Sequence, residues 1–227
     1  MGAIFQLDPI NLAARLAILL ICLPIHEFAH AFMASKLGDN TAEKQGRLTL
    51  NPFVHLDIVG SMLIFFAGFG WAKPVPVDPS VFKKPRRDMA FVAAAGPLAN
   101  IVLATILMSV LKIIAYTDIG GLPPQTFLNL IFILRIMILI NLALAVLNLL
   151  PVPPLDGSKI LGALLPEKLY FSMMRYSPFF IMALFALMIL GMLGHVNILG
   201  NIIWGGADRL MPVIDFITRP IDLIFGG

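Results

Sequence analysis

Four stretches of the chain stay apolar long enough to cross a bilayer: about 11–37, 88–115, 127–150 and 177–203. Each reaches the roughly 20 residues that a hydrocarbon core demands. A fifth apolar stretch, "IVGSMLIFFAGFG" at 58–70, has only 13 residues and ends in Gly68 and Gly70. That is short for a crossing, and whether it crosses or re-enters stays open by length alone; a re-entrant or interfacial segment is the expected reading. Upstream of it, "GRLTL" at 46–50 alternates between Gly46 and Asn51-Pro52, which predicts a short strand or hairpin. The proline-dense "GWAKPVPVDP" at 70–79 reads as extended chain, and the weakly amphipathic tail after Trp204 as an interfacial segment on the outer side. The expected fold is an all-α polytopic membrane protein: four main transmembrane helices, a re-entrant apolar segment and a short membrane-associated β-hairpin. It reads as one domain over 1–227, with a core at about 11–165 and 166–227 as an additional helix and tail.

Composition strengthens this picture. Hydrophobic residues make up 59% and charged residues 13% of the 227 residues, against about 45–50% and 25% in soluble domains. Mean hydropathy is +0.92. The opening "MGAIFQLDPI" has no basic n-region, so no cleavable signal is expected. A single cysteine, Cys22, excludes an intrachain disulfide. The net charge of +3 is small, and no basic cluster with interleaved aromatics points to nucleic acid.

The positions of the basic residues say more than their sum. If 58–70 does not cross, one side of the membrane collects Lys44, Arg47, Lys73, Lys83, Lys84, Arg86, Arg87, Lys159, Lys168 and Arg175, with Lys36 at a helix end. The other side holds only Arg209 and Arg219, with Arg15 and Lys112 near helix ends. Positive residues favour the cytoplasm. The expected placement is therefore a multi-pass protein of a plasma membrane, prokaryotic from its compactness, with the N-terminus outside.

Inside the first apolar run stands His26-Glu27-Phe28-Ala29-His30. Residues i and i+4 share a helix face, so two imidazoles can grip one Zn²⁺. Glu27 sits about 100° round the helix, beside the ion, where it can take a proton from a water bound there. H-E-x-x-H alone recurs by chance. In a membrane helix, however, each charged group costs about 2.5–3.5 kcal/mol on insertion scales, and a bound metal would satisfy all three groups together.

A catalytic zinc usually has three protein ligands. The extended pattern with a third histidine fails, since position 33 is Met and position 36 is Lys. Glu43 follows too soon, and His55 and Asp57 stay open by spacing alone. Asp156 in "NLLPVPPLDGSKI" is the better candidate. Pro151, Pro153 and Pro154 stop the preceding helix and Gly157 frees the backbone behind it. In the topology above, Asp156 lies at the same inner depth as the two histidines, towards the cytoplasmic face.

"HEFAH" together with "NLLPVPPLDG" closely resembles the site-2 protease family of intramembrane zinc metalloproteases. "AAAGPLAN" (93–100), "NPFVHLD" (51–57) and "GWAKPVPV" (70–77) are similar to further signatures of that family. The resemblance covers about 20–165 and is of the minimal-core type, without a PDZ or CBS domain and without an extra helix before H-E-x-x-H. It implies one Zn²⁺ held by His26, His30 and Asp156, Glu27 as general base, and Asn148 hydrogen-bonding the substrate backbone. Asn100 resembles a polar substrate-side position on the middle core helix. The resemblance also implies that the strand near 46–50 pairs with an unwound substrate segment.

The implied activity is an intramembrane zinc endopeptidase cutting a peptide bond in or near a transmembrane segment of a membrane-bound protein, as in regulated intramembrane proteolysis. The alternatives are a non-catalytic binder of transmembrane partners, which an intact Glu27 argues against, and a metal carrier, which the crowding of ionisable groups near one face argues against. Remaining residues have plainer readings. Cys22 is a packing residue one turn before His26, His55 a loop histidine and His195 distant from the metal. Arg135 is a snorkelling or packing residue, Asn141 an interhelical hydrogen bonder, and Arg86-Arg87 a cytoplasmic flank.

Overall fold

A computed structural model describes residues 9–67, 70–117, 122–194 and 197–225. His195, together with Gly68 of the short apolar stretch, falls outside the described residues. The described residues are mostly helical. Helix α1 (Pro9–Lys36) runs 28 residues, about 42 Å at 1.5 Å per residue. A π-helical turn at Ile18–Cys22 interrupts it directly before the H-E-x-x-H segment, and such turns recur at functional sites. Helix α2 is Ile58–Ala67, α3 Pro85–Tyr116 and α4 Pro124–Leu149. Then come α5 (Asp156–Leu164), α6 (Glu167–Arg175), α7 (Ser177–Met192) and α8 (Ile198–Phe225). Helices α1, α3 and α4 are each long and apolar enough to cross a membrane, and the α6–α7 pair, bent by 56°, qualifies as a fourth if it counts as one span.

The core forms where α3 packs against α1, α4, α5 and α8. Ala104 of α3, Ile138 and Leu142 of α4, and Ala207 and Ile214 of α8 bury one another. This corrects two expectations. The fourth apolar stretch ends as a helix at Met192 rather than near 203, and the residues after Trp204 belong to a 28-residue helix on the bundle rather than to an interfacial tail. The cause is a buried stripe, Ala207, Ile214 and Thr218, on a helix whose other faces carry its charges.

The expected strand at 46–50 is not formed, and no sheet occurs among the described residues. Residues 46–50 are turn and bends. Two buried groups fold this segment inward. Arg47 donates to the carbonyls of Lys73 (2.6 Å) and Pro74 (3.3 Å), and the His55 ring pairs with the Thr49 carbonyl (2.8 Å). The only β pairing among the described residues is an isolated antiparallel bridge between Leu56 and Ala72. Helix α2, at ten residues, is about 15 Å long, half of a bilayer core. The chain comes back beside its first turn: a Cβ on Gly60 would lie 2.1 Å from the Trp71 carbonyl oxygen, and one on Gly70 2.1 Å from that of Gly60. Only glycine permits that approach. Arg15 of α1 donates to the Phe65 carbonyl in the last turn of α2.

Candidate metal centre

The 3.6-residue period stacks His26 and His30 on one face of α1. Their Nε2 atoms are 3.0 Å apart and their rings meet edge to face. Three prolines after α4, Pro151, Pro153 and Pro154, keep the chain from continuing as helix, so that α5 starts afresh at Asp156. Gly157 allows the tight turn, because a Cβ there would stand 2.3 Å from the Leu149 carbonyl oxygen. Asp156 thereby occupies the first position of α5, where a carboxylate suits the helix dipole. Its Oδ2 lies 3.5 Å from His26 Nε2 and 3.2 Å from His30 Nε2.

These three side chains are buried, and they are the one group of potential ligands found among the described residues. Tetrahedral zinc with ligand bonds near 2.0–2.1 Å holds its donors about 3.3 Å apart. The observed 3.0, 3.2 and 3.5 Å separations match that spacing. Two imidazole nitrogens and one carboxylate oxygen are also the donor chemistry of catalytic zinc. The residues present therefore fit the ion.

The surroundings fix the donors. His30 Nδ1 pairs with the Val92 carbonyl of α3 at 2.7 Å, which orients its Nε2 toward the centre. Lys159 Nζ lies 3.4 Å from Asp156 Oδ1, leaving Oδ2 to the imidazoles. Gly96 of α3 presses on the ring pair: a Cβ there would lie 2.4 Å from His30 Nε2 and 2.6 Å from His26 Cε1. The glycine of "AAAGPLAN" is thus a requirement of close approach.

Glu27 is buried beside the ligand pair, and its Oε2 accepts a 3.0 Å hydrogen bond from the Val75 N–H. Asn148 is half-buried near the end of α4, its Nδ2 donating to the Leu144 carbonyl at 3.0 Å. Asn100 lies one helical turn from Gly96, fully buried, with neither amide atom paired among the described residues. His55 is fully buried away from the ligand group and holds the loop through Thr49. Cys22 accepts from Asn141 Nδ2 at 3.1 Å, so the cysteine and asparagine join α1 to α4. Sequence reasoning missed Val75 and the buried Asp39 and Arg47. Two charged residues in a loop with no solvent exposure to speak of are a signal that only burial reveals.

A sequence profile of peptidase family M50 matches residues 113–191, which include Asp156. "Putative zinc metalloprotease YwhC" of Bacillus subtilis (strain 168) is 39% identical over 219 residues, covering 96% of this chain and 98% of that protein. "Putative zinc metalloprotease Rip2" of Mycolicibacterium smegmatis is 34% identical over 153 residues, covering 65% of this chain and 54% of that protein. The Rip2 protein of Mycobacterium tuberculosis (strain ATCC 25618 / H37Rv) is 33% identical over 144 residues, covering 61% of this chain and 52% of that protein. No solved structure matches the chain.

Proposed function

The chain belongs to peptidase family M50, the site-2 protease family, and from that premise we propose that it hydrolyses a peptide bond in or near a transmembrane segment of a membrane-bound substrate, as in regulated intramembrane proteolysis. One observation carries the proposal. Donors from two separate helices converge at 3.0–3.5 Å, with a buried carboxylate one residue along from the first of them.

In this reading His26, His30 and Asp156 hold the zinc ion. When bound, zinc supplies Lewis acidity that lowers the pKa of a water and polarises the scissile carbonyl. Glu27 takes the proton of the attacking water and delivers it to the leaving amine. Asn148 donates to the substrate backbone or to the oxygen that gains charge, and Asn100 serves the substrate side of the middle core helix. Burial of His26, Glu27, His30 and Asp156 strengthens each charge interaction among them. A helical substrate hides its carbonyls in its own hydrogen bonds, so it unwinds before cleavage, and helix-weakening residues near the cut favour it.

The placement in the membrane follows from charge. The basic segments 38–57, 70–87 and 151–176 lie on the cytoplasmic side, with the N-terminus outside and α2 re-entering from the side it leaves. The metal centre then opens toward the cytoplasmic face of a prokaryotic plasma membrane, and residues 1–227 act as one protease domain. Purified protein in detergent with a helical membrane peptide tests the function. Glu27→Gln retains zinc and lowers cleavage at least a hundredfold. Equal cleavage by variant and wild type would overturn the proposal.

A further inference from the structure

The segment 72–78 runs across the face of the site as a strap fixed at both ends. At one end Ala72 bridges to Leu56, Lys73 N–H donates to the His55 carbonyl at 2.8 Å, and buried Arg47 grips the Lys73 and Pro74 carbonyls. At the other end Asp78 N–H donates to buried Asp39 Oδ2 at 2.8 Å, and Asp39 Oδ1 in turn accepts from Thr41 N–H at 2.9 Å. Between the anchors, Val75 N–H donates outward to Glu27 Oε2 at 3.0 Å, the single such backbone bond among the described residues. Glu27 has no other hydrogen-bond partner among the described residues.

Sequence explains why that donor is unique. Val75 stands between Pro74 and Pro76, neither of which has an N–H. Both prolines also bias the backbone toward extended geometry. The stretch 74–76 therefore presents one donor, at one place, to one carboxylate oxygen. A glutamate has three side-chain torsions and loses much rotamer freedom when ordered. A general base must nevertheless stay within about 2.6–3.2 Å of the proton it takes. A charge-assisted bond to Oε2 pins the carboxylate without engaging Oε1.

We propose that the Val75 backbone N–H is a positioning group for the reaction, holding Glu27 in the orientation in which it acts as base, and that Asp39, Arg47 and His55 are buried in order to fix the strap that carries it. The inference rests on the protease reading above. Val75→Pro deletes the N–H while keeping extended geometry. Incorporation of α-hydroxyisovaleric acid at 75 replaces the N–H by an ester oxygen and keeps the side chain. In full-length protein in detergent, with a helical membrane peptide as substrate, both variants should lose about tenfold in kcat. KM should stay within twofold and zinc content should be unchanged. Val75→Ala, which keeps the N–H, should restore kcat to within about twofold of wild type. A wild-type kcat in the ester variant would overturn the inference, as would a loss in Val75→Ala as large as in Val75→Pro. Wild-type protein that cleaves no better than Glu27→Gln would instead overturn the protease reading itself, so the two failures are distinguishable.

Discussion

Helix α3 meets two ionisable clusters, one buried and one in which only Lys112 is buried, and the two are built on opposite principles. Near its start, Gly96 packs against His26 and His30, with Asp156 completing the group. Sixteen residues further on, Lys112 Nζ sits 2.8 Å from Asp215 Oδ1 and 2.6 Å from Asp222 Oδ2, and Tyr116 donates to Asp222 at 3.1 Å. The second cluster brings its own cation and is complete as it stands: it ties α3 to the far end of α8. The first gathers three electron-pair donors at 3.0–3.5 Å with only the partly exposed Lys159 at its edge. Three such atoms turned toward one point are stable together when a cation occupies that point. Polar residues in an apolar protein therefore mark function where lone pairs converge on one point with no cation between them, and architecture where a cation already sits among the acceptors.

That contrast can be broken at either end of α3. The largest effect is expected from Gly96→Ala, whose added methyl group would overlap the His30 ring. Zinc affinity should fall about 10–100-fold, the range seen when groups supporting a metal ligand are disturbed. Competition with a fluorescent chelator measures it, and wild-type affinity would show that the close approach does not position the imidazoles. Lys112→Met should act oppositely, lowering the melting temperature by a few degrees while zinc content and kcat stay at wild-type values. Loss of zinc in that variant would mean that the two clusters are coupled through α3.

A smaller effect sharpens the second case. The Lys112 ammonium hydrogen-bonded to Asp222 holds the Asp222 carboxyl below its usual range. A depressed carboxyl contributes stability above its unfolded-state pKa, near 3.9, and loses it as the pH falls through the folded value. The difference in melting temperature between wild type and Lys112→Met should thus be present at pH 7 and shrink below about pH 4. A difference independent of pH would show that Lys112 acts by packing of its stem alone.

The helix that carries the two histidines was readable from the chain, whereas α5, whose first residue is Asp156, was not among the expected helices. Apolar runs long enough to span, an i, i+4 histidine pair and prolines ahead of Asp156 each have a local cause, and the fold adds only their meeting. The strand expected at 46–50 failed for a reason that alternation cannot express, because Arg47 turns inward to serve carbonyls 26 and 27 residues away. Helix α8 was obscured by Asp208, Arg209, Asp215, Arg219 and Asp222 and by two internal prolines, Pro212 and Pro220. Its buried stripe at Ala207, Ile214 and Thr218 is nevertheless a helical period that a face-by-face reading would find. The Val75 contact had no side-chain signal at all, since it is made by the backbone across 48 residues of sequence.

The central claim is that residues from α1 and the start of α5 jointly hold one ion. X-ray absorption at the zinc edge, on purified wild type beside Asp156→Ala, tests it most directly. Wild type should bind about one zinc per chain with two imidazoles and a carboxylate oxygen in its shell, and Asp156→Ala should lose the metal or show a shell without that oxygen. Full occupancy and an unchanged spectrum in Asp156→Ala would contradict the account.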